Sequence, residues 1–380
     1  MNGARAKILL LVTGLGSGGA ERVVYDLARG VNAARADGLV KYTAEVAALD
    51  GRGAYAAALR DAGIPVHDLG MYRKYAPRAF FRLRRLLREG GWSLLHTHLF
   101  HANLLGRLTA ARTGIPVLST CHIQEKRHRP WHFWLDRWTA GAARAEVCVS
   151  AATAEFQQAR TGLPAGFFRI IPNGIDLARF TPPDAEKRAI LRNRWLPAAR
   201  ARKDTVICGF LGRFDRQKGG DTLLAAWKLL PENARAGAIL LFGGYGREEK
   251  NWKRLAAGAE DIVFCGAQAE PQEFLGALDL SVMPSRYEGF GLAAVEAMAC
   301  GAAVAASTAV TGIITDGADG VQFPPENPVL LADALTQLIL NPRWRQTLAD
   351  AGRRRAGVFS AEKMTAAYLK LYDEIAVTPH

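Results

Sequence analysis

The 380-residue chain has only five cysteines and no C-x-x-C pair. A disulfide framework is therefore not expected. Cys121, Cys148, Cys208, Cys265 and Cys300 read as buried thiols in a reducing compartment. No stretch approaches the ~20 uncharged apolar residues of a membrane span. Arg5 and Lys7 ahead of a short apolar run to Val12 imitate a signal peptide, but the glycine-rich continuation reads as a first strand and its loop. A cytoplasmic protein is expected. The chain lacks a D-x-D motif, an internal repeat and any low-complexity tract. Acidic residues are scarce in one half only: residues 1–172 hold 24 Lys/Arg against 12 Asp/Glu, and residues 173–380 hold 25 against 24. Almost all of the net charge of +13 thus sits in the first half, which suits an anionic partner.

A chain of this length can bury two cores, and 49% hydrophobic with 22% charged residues is a globular composition. Both halves alternate short apolar runs with amphipathic segments, the pattern of parallel α/β sheets. Expected strands in the first half are Lys7–Thr13, Ala44–Leu49, Ser93–Thr97, Val117–Thr120, Glu146–Ser150 and Arg169–Ile171. In the second they are Thr205–Leu211, Ala238–Phe242, Asp261–Cys265, Leu280–Pro284 and Ala303–Ala306. Pro172-Asn173-Gly174 breaks the pattern with a proline and an Asn-Gly turn. Domains are expected at 1–172 and 173–359, with a last helix in 360–380.

Glu288 and Glu296 stand with seven residues between them in Glu288-Gly289-Phe290-Gly291-Leu292-Ala-Ala-Val-Glu296. The stretch reads as strand end, glycine loop and helix start, where free amides and the helix dipole favour an anion. Carboxylates on either side of a phosphate-sized hole suit a ligand that is phosphate in the middle and hydroxyl-rich at both ends, such as a sugar nucleotide. Gly212-Arg213 through Lys218-Gly219 follows the first strand of the second half, and its two cations suit a diphosphate. Gly14, Gly16 and Gly19 formally match G-x-G-x-x-G, yet no clear acidic residue closes the second strand as a dinucleotide site requires.

These segments resemble glycosyltransferase family 4, retaining enzymes of the GT-B fold. The likeness rests on Glu288 through Glu296 and on Gly212 through Gly219. The turn Gly18-Gly19-Ala20-Glu21-Arg22 and the strand-end His122 add to it. The resemblance implies two Rossmann-like parallel-sheet domains facing a central cleft, with the C-terminal helix crossing back to the first. It also implies that Arg213 and Lys218 hold the donor pyrophosphate, Glu288 the sugar and Glu296 the ribose, with Gly18 and Gly19 facing the donor. Amides near Gly291 and Leu292 would hold the distal phosphate, and the loop at Gln268 would read the base. His122 would lie near the transferred sugar, and His98 and Asn103 beside the acceptor. His96-x-His98 also invites a metal reading, but no third ligand is evident, and neither a metal nor another cofactor is implied.

The basic half offers the acceptor side. Arg78 to Arg88 is a basic amphipathic stretch, and Lys126-Arg127-His-Arg129-Pro-Trp131 opens a segment that interleaves cations with aromatics. Trp131, Trp134 and Trp138 fall on one face of a helix, either a core face or one lying at headgroup depth in a membrane interface. The expected activity is metal-independent retaining transfer of a hexose or N-acetylhexosamine. The donor is a nucleoside-diphosphate sugar, uridine favoured by frequency among related enzymes. The acceptor is an anionic lipid-linked, lipopolysaccharide or other cell-surface glycan, reached at the cytoplasmic face of the inner membrane. Sugar epimerisation in the same nucleotide pocket is the alternative. A nucleic-acid-binding role fits poorly, because the second half is near neutral and no DNA- or RNA-reading motif is present.

Overall fold

The computed structural model describes residues 6–72, 77–126, 128–197, 202 and 204–376. The chain divides into two compact units, Met1–Gly174 with Ala361–His380, and Ile175–Ser360.

In the first unit Ile8 to Val12 is an unbroken aliphatic run, and every one of these side chains is fully buried. A strand apolar on both faces is satisfied only inside a sheet covered by helices on both sides. This strand, β1 (Ala6–Gly14), is followed by α1 (Gly19–Ala36), β2 (Tyr42–Asp50), α2 (Ala54–Asp61) and β3 (Val66–Asp68). Then come α3 (Pro77–Glu89), β4 (Trp92–His98), α4 (Phe100–Ala110) and β5 (Val117–Cys121). The unit continues with α5 (Pro130–Ala140), β6 (Ala145–Cys148), α6 (Ala151–Thr161) and β7 (Phe168–Ile170). The sheet order is β3-β2-β1-β4-β5-β6-β7, and every pairing is parallel.

The second unit repeats the plan. It begins with α7 (Ala185–Trp195), β8 (Val206–Leu211), α8 (Gly220–Lys228), α9 (Glu232–Ala236) and β9 (Ala238–Gly243). Next are α10 (Glu249–Leu255), β10 (Ile262–Gly266), α11 (Pro271–Ala277), β11 (Leu280–Met283) and α12 (Leu292–Ala299). It closes with β12 (Ala303–Ser307), β13 (Val321–Phe323), α13 (Pro328–Leu340) and α14 (Pro342–Ala356). Its parallel order is β10-β9-β8-β11-β12-β13. In each sheet the winding reverses beside the first strand, at β1/β4 and at β8/β11. Ligands of open α/β sheets bind at the carboxyl ends of the strands at such points.

The last helix, α15 (Ala361–Ala376), belongs to the first unit. Its stripe Met364, Tyr368, Leu371, Tyr372 and Ile375 is buried. Tyr42 donates to Asp373 Oδ1 at 2.7 Å, and the Tyr372 hydroxyl lies 2.8 Å from His96 Nδ1. The expected return of this helix to the first domain is therefore present.

Differences from the sequence reading are local. The edge strands β3 and β13 are three residues each, too short to show a period. Ser150 does not end a strand; its side chain accepts from the Thr153 amide and caps α6, the usual work of a serine at that position. The tryptophan face is not core. Trp131, Trp134 and Trp138 are 52%, 62% and 63% exposed, and the Trp134 and Trp138 rings stack with centroids 6.1 Å apart.

Candidate functional site

The loops after β8 and β11 meet at the winding reversal of the second unit. Glu288 is only 6% exposed. Its Oε1 accepts from Lys218 Nζ at 2.5 Å and from the Ser285 hydroxyl at 2.7 Å. The buried Gln217 amide donates to the Tyr287 carbonyl at 3.0 Å, and exposed Arg213 donates to Gln217 Oε1 at 3.5 Å. Gly219, at φ 68°, takes the left-handed turn into α8, and a Cβ there would run into the Pro284 carbonyl. That close approach is what brings Lys218 against Glu288. Arg286 straps the same loop to α8 through two hydrogen bonds to Asp221, at 2.9 and 2.8 Å.

Gly291, at φ 101°, opens α12 without a side-chain cap, so the helix start is left to its own amides. Gly289 and Phe290 are buried just before it, the Phe290 ring edge-on to Phe359. Leu292 and Glu296 are half-buried on α12. Lys218 and Glu288 thus meet, with Arg213 tied to the same loop through Gln217 and the start of α12 following Glu288 in the chain. Gln268 lies on the loop after β10, where its amide donates to the Cys265 and Gly266 carbonyls.

In the first unit Gly18 caps α1 after β1, with Gly19 exposed beside it, and a Cβ at Gly18 would meet the Glu21 carboxylate. At the ends of β4 and β5 the histidines pack as a chain. His98 is fully buried, its Nδ1 3.0 Å from His122 Nε2, and His96 lies between the Tyr372 hydroxyl and Thr120 Oγ1. His98 therefore backs His122 rather than reaching the surface. Burial pushes the His96 and His98 pKa values well down and the His122 value down to about 4, so all three rings are neutral at pH 7. Among the described residues no group of three or more His, Cys, Asp or Glu is arranged to hold a metal. Asn103 is buried on α4, Lys126 is exposed, and Arg127 lies outside the described residues.

Sequence reading missed a buried ionic cluster beside these histidines. Arg107, fully buried, donates to Glu146 at 2.7 Å, Asp136 at 3.2 Å and Ser119 at 2.9 Å. One cation faces two carboxylates. Burial first, and the Glu146 charge second, push the Asp136 pKa up to about 7. It also missed Ser285 and Gln217. Ser285 had a signal of sorts, a hydroxyl at a strand end three residues before the glutamate.

Two Rossmann-like units in one chain are the architecture of GT-B glycosyltransferases, and solved structures agree. The fold matches the Anabaena Alr3699/HepE complex with UDP at a TM-score of 0.83 and 21% identity, over 97% of this chain and all of that one. It matches sucrose-phosphate synthase from Thermosynechococcus elongatus at 0.80 and 23%, over 97% and 99%. Residues 17–179 match the family description Glycosyltransferase Family 4, and residues 205–341 match Glycosyl transferases group 1. A D-inositol 3-phosphate glycosyltransferase of Xylanimonas cellulosilytica is 30% identical over 312 residues, 75% of this chain and 72% of that one. One from Thermobifida fusca is 30% identical over 315 residues, 74% and 70%. The chain belongs to the group 1, family 4 glycosyltransferases.

Proposed function

We propose that this glycosyltransferase is retaining and metal-independent, and that it moves a hexose or N-acetylhexosamine from a UDP-sugar to a lipid-linked, lipopolysaccharide or other cell-surface glycan. The observation that carries the reading is the cluster of Arg213, Lys218, Glu288 and the uncapped start of α12 at one winding reversal. A diphosphate leaving group gains charge as the glycosidic bond breaks, and fixed cations and amides stabilise that charge without reorganising. The pyrophosphate takes Lys218, Glu288 then orients sugar hydroxyls, and Glu296 holds the ribose. The leaving phosphate receives the acceptor proton on the face it departs from, which preserves the anomeric configuration. Uridine is supported by the HepE complexes with UDP and UDP-glucose. Lys218→Ala and Glu288→Ala should each lower transfer about 10²- to 10³-fold. Near-normal UDP release from a panel of UDP-sugars by both variants overturns the reading.

The acceptor side is read from the first unit. Exposed Phe81 on arginine-rich α3, and the three exposed tryptophans of α5, suit a peripheral stance on an anionic bilayer. Co-sedimentation with phosphatidylglycerol vesicles tests this. Binding should weaken with salt and with Trp134→Ser/Trp138→Ser, and binding equal to that of phosphatidylcholine vesicles refutes it. The names of the 30% identical relatives favour a second reading, a small cyclitol phosphate as acceptor. Transfer to inositol 3-phosphate without vesicles decides for it.

A further inference from the structure

A cleft of about 470 Å³ opens in the second unit at the amino ends of β8 and β11. The loops of Lys218 and Glu288 follow the carboxyl ends of the same two strands. β8 is six residues long, about 20 Å, so the cleft is a separate place on the unit. Arg188 and Arg192 of α7 line it, with Asp204 and Thr205 ahead of β8, Asp279 ahead of β11 and Arg345 of α14. A space of that volume takes a small organic molecule and not only an ion. All three arginines are half-buried, and each is held in place. Arg188 Nη2 donates to Asp279 Oδ1 at 2.8 Å and to the Leu278 carbonyl at 3.2 Å. Arg192 Nη1 donates to Asp279 Oδ2 at 2.7 Å, and its Nη2 donates to the Thr205 carbonyl. Arg345 Nη1 donates to the Leu338 and Ile339 carbonyls at 2.6 and 3.0 Å, and among the described residues no carboxylate pairs with it. These bonds orient the guanidinium groups and leave part of each fork over. Carbonyls do not cancel charge. Asp279 alone therefore answers three arginines, and the wall keeps a surplus of two positive charges. Asp204, the other acid of the lining, is exposed to water, where its opposing charge is screened. Cations crowded together and partly withdrawn from water are a place where an anion is stabilised.

We propose that this cleft binds a small soluble phosphate monoester, with the phosphate on Arg345, Arg188 and Arg192 and the organic part in the remaining space. A phosphate monoester carries about −1.5 to −2 charge at pH 7 and three strong acceptor oxygens, which match the surplus charge and the free parts of the arginine forks. The site goes beyond the transfer reading and does not depend on it. A phosphate held there ties α7 and α14 together across the starts of β8 and β11, so it stabilises the unit that carries the Lys218 and Glu288 loops.

Calorimetric titration of the full chain with glycerol 3-phosphate and with inorganic phosphate, each with and without saturating UDP, tests this. Both probes should bind, and both should still bind when UDP is present. The melting temperature should rise with either probe as its concentration passes the dissociation constant. Arg345→Met should weaken binding about tenfold or more, the scale of a lost charge-assisted hydrogen bond. That variant also leaves the Leu338 and Ile339 carbonyls without their donor, so Asp204→Asn is its companion. Asp204 is exposed, and its change to asparagine should fold like the parent and tighten binding severalfold by removing the opposing charge. Binding that UDP abolishes belongs to the Lys218 loop and overturns the proposal. Binding by neither probe overturns it too, as do affinities that Arg345→Met and Asp204→Asn both leave unchanged. If UDP itself fails to bind, the transfer reading falls, and the two variants still decide this site.

Discussion

Replacing Glu288 separates its structural work from its chemical work. Glu288→Ala strands the Lys218 ammonium and leaves the Ser285 hydroxyl without its acceptor. Removing one partner of a fully buried pair costs about 3–5 kcal/mol. The Lys218 side chain is 20% exposed and can turn toward water, so a cost of about 2 kcal/mol is expected. For a domain of this size that is roughly 4–8 °C in Tm. Glu288→Gln keeps an oxygen for both donors and should lose about 1 kcal/mol, the order of one ordinary hydrogen bond. Lys218→Met leaves a carboxylate only 7% exposed with Ser285 as its remaining partner, and should melt lowest of the three. Activity should follow a different order. Both Glu288 variants lose transfer, because the amide of glutamine cannot replace a carboxylate that accepts from sugar hydroxyls. UDP, which needs the lysine and not the glutamate, should bind Glu288→Ala at least as tightly as the unaltered chain. Calorimetric titration with UDP, melting curves and a UDP-release assay read all three quantities. Near-normal transfer by Glu288→Gln, or weaker UDP binding by Glu288→Ala, refutes the reasoning.

Two further outcomes follow from the first unit. Arg107→Met leaves Asp136 and Glu146 buried without their cation and should cost about 3–5 kcal/mol, or roughly 6–20 °C in Tm. Adding Asp136→Asn and Glu146→Gln should restore part of it, and a single variant as stable as the parent refutes the cluster's role. The second outcome concerns pH. His96, His98 and His122 are neutral in the folded chain because burial lowers their pKa values, whereas unfolded imidazoles take a proton near pH 6.5. Between about pH 4 and 6.5 the unfolded state therefore holds more protons, and stability rises with pH by about 1.4 kcal/mol per unit for each ring. Asp136, raised to about 7, acts in the opposite sense and offsets about one ring. The urea midpoint should fall between pH 7 and pH 5, and equal midpoints refute the argument.

What could be read before the fold was known lies close together in the chain. The Arg213–Lys218 and Glu288–Glu296 segments each follow a buried strand, and strand end, glycine and helix start already imply a ligand loop. Lys218 and Glu288 are 70 positions apart, yet the two loops meet because β8 and β11 are neighbours in the sheet. The Arg107 cluster left no such trace. Its members come from α4, α5 and β6, 29 and 39 positions distant, and no local pattern ties an arginine to acids on other elements.

The tryptophan helix shows how that hidden cluster decides a visible feature. Periodicity puts Trp131, Trp134 and Trp138 on one face but cannot say which way the face turns. Phe133, Asp136 and Ala140 repeat the same spacing two residues on, about 200° further round the helix, so only one of the two faces can point inward. Burial of apolar area alone would choose three indoles. The structure chooses the other face, because Asp136 is tied to Arg107, and Arg107 lies at the centre of a network that includes Ser119 and Glu146. Turning α5 over would break the buried Arg107–Asp136 pair and expose Phe133, costs that offset part of what covering the tryptophans would gain. The buried pair and Phe133 together hold the roll of α5, and with it the aromatic surface that the first unit shows to its surroundings.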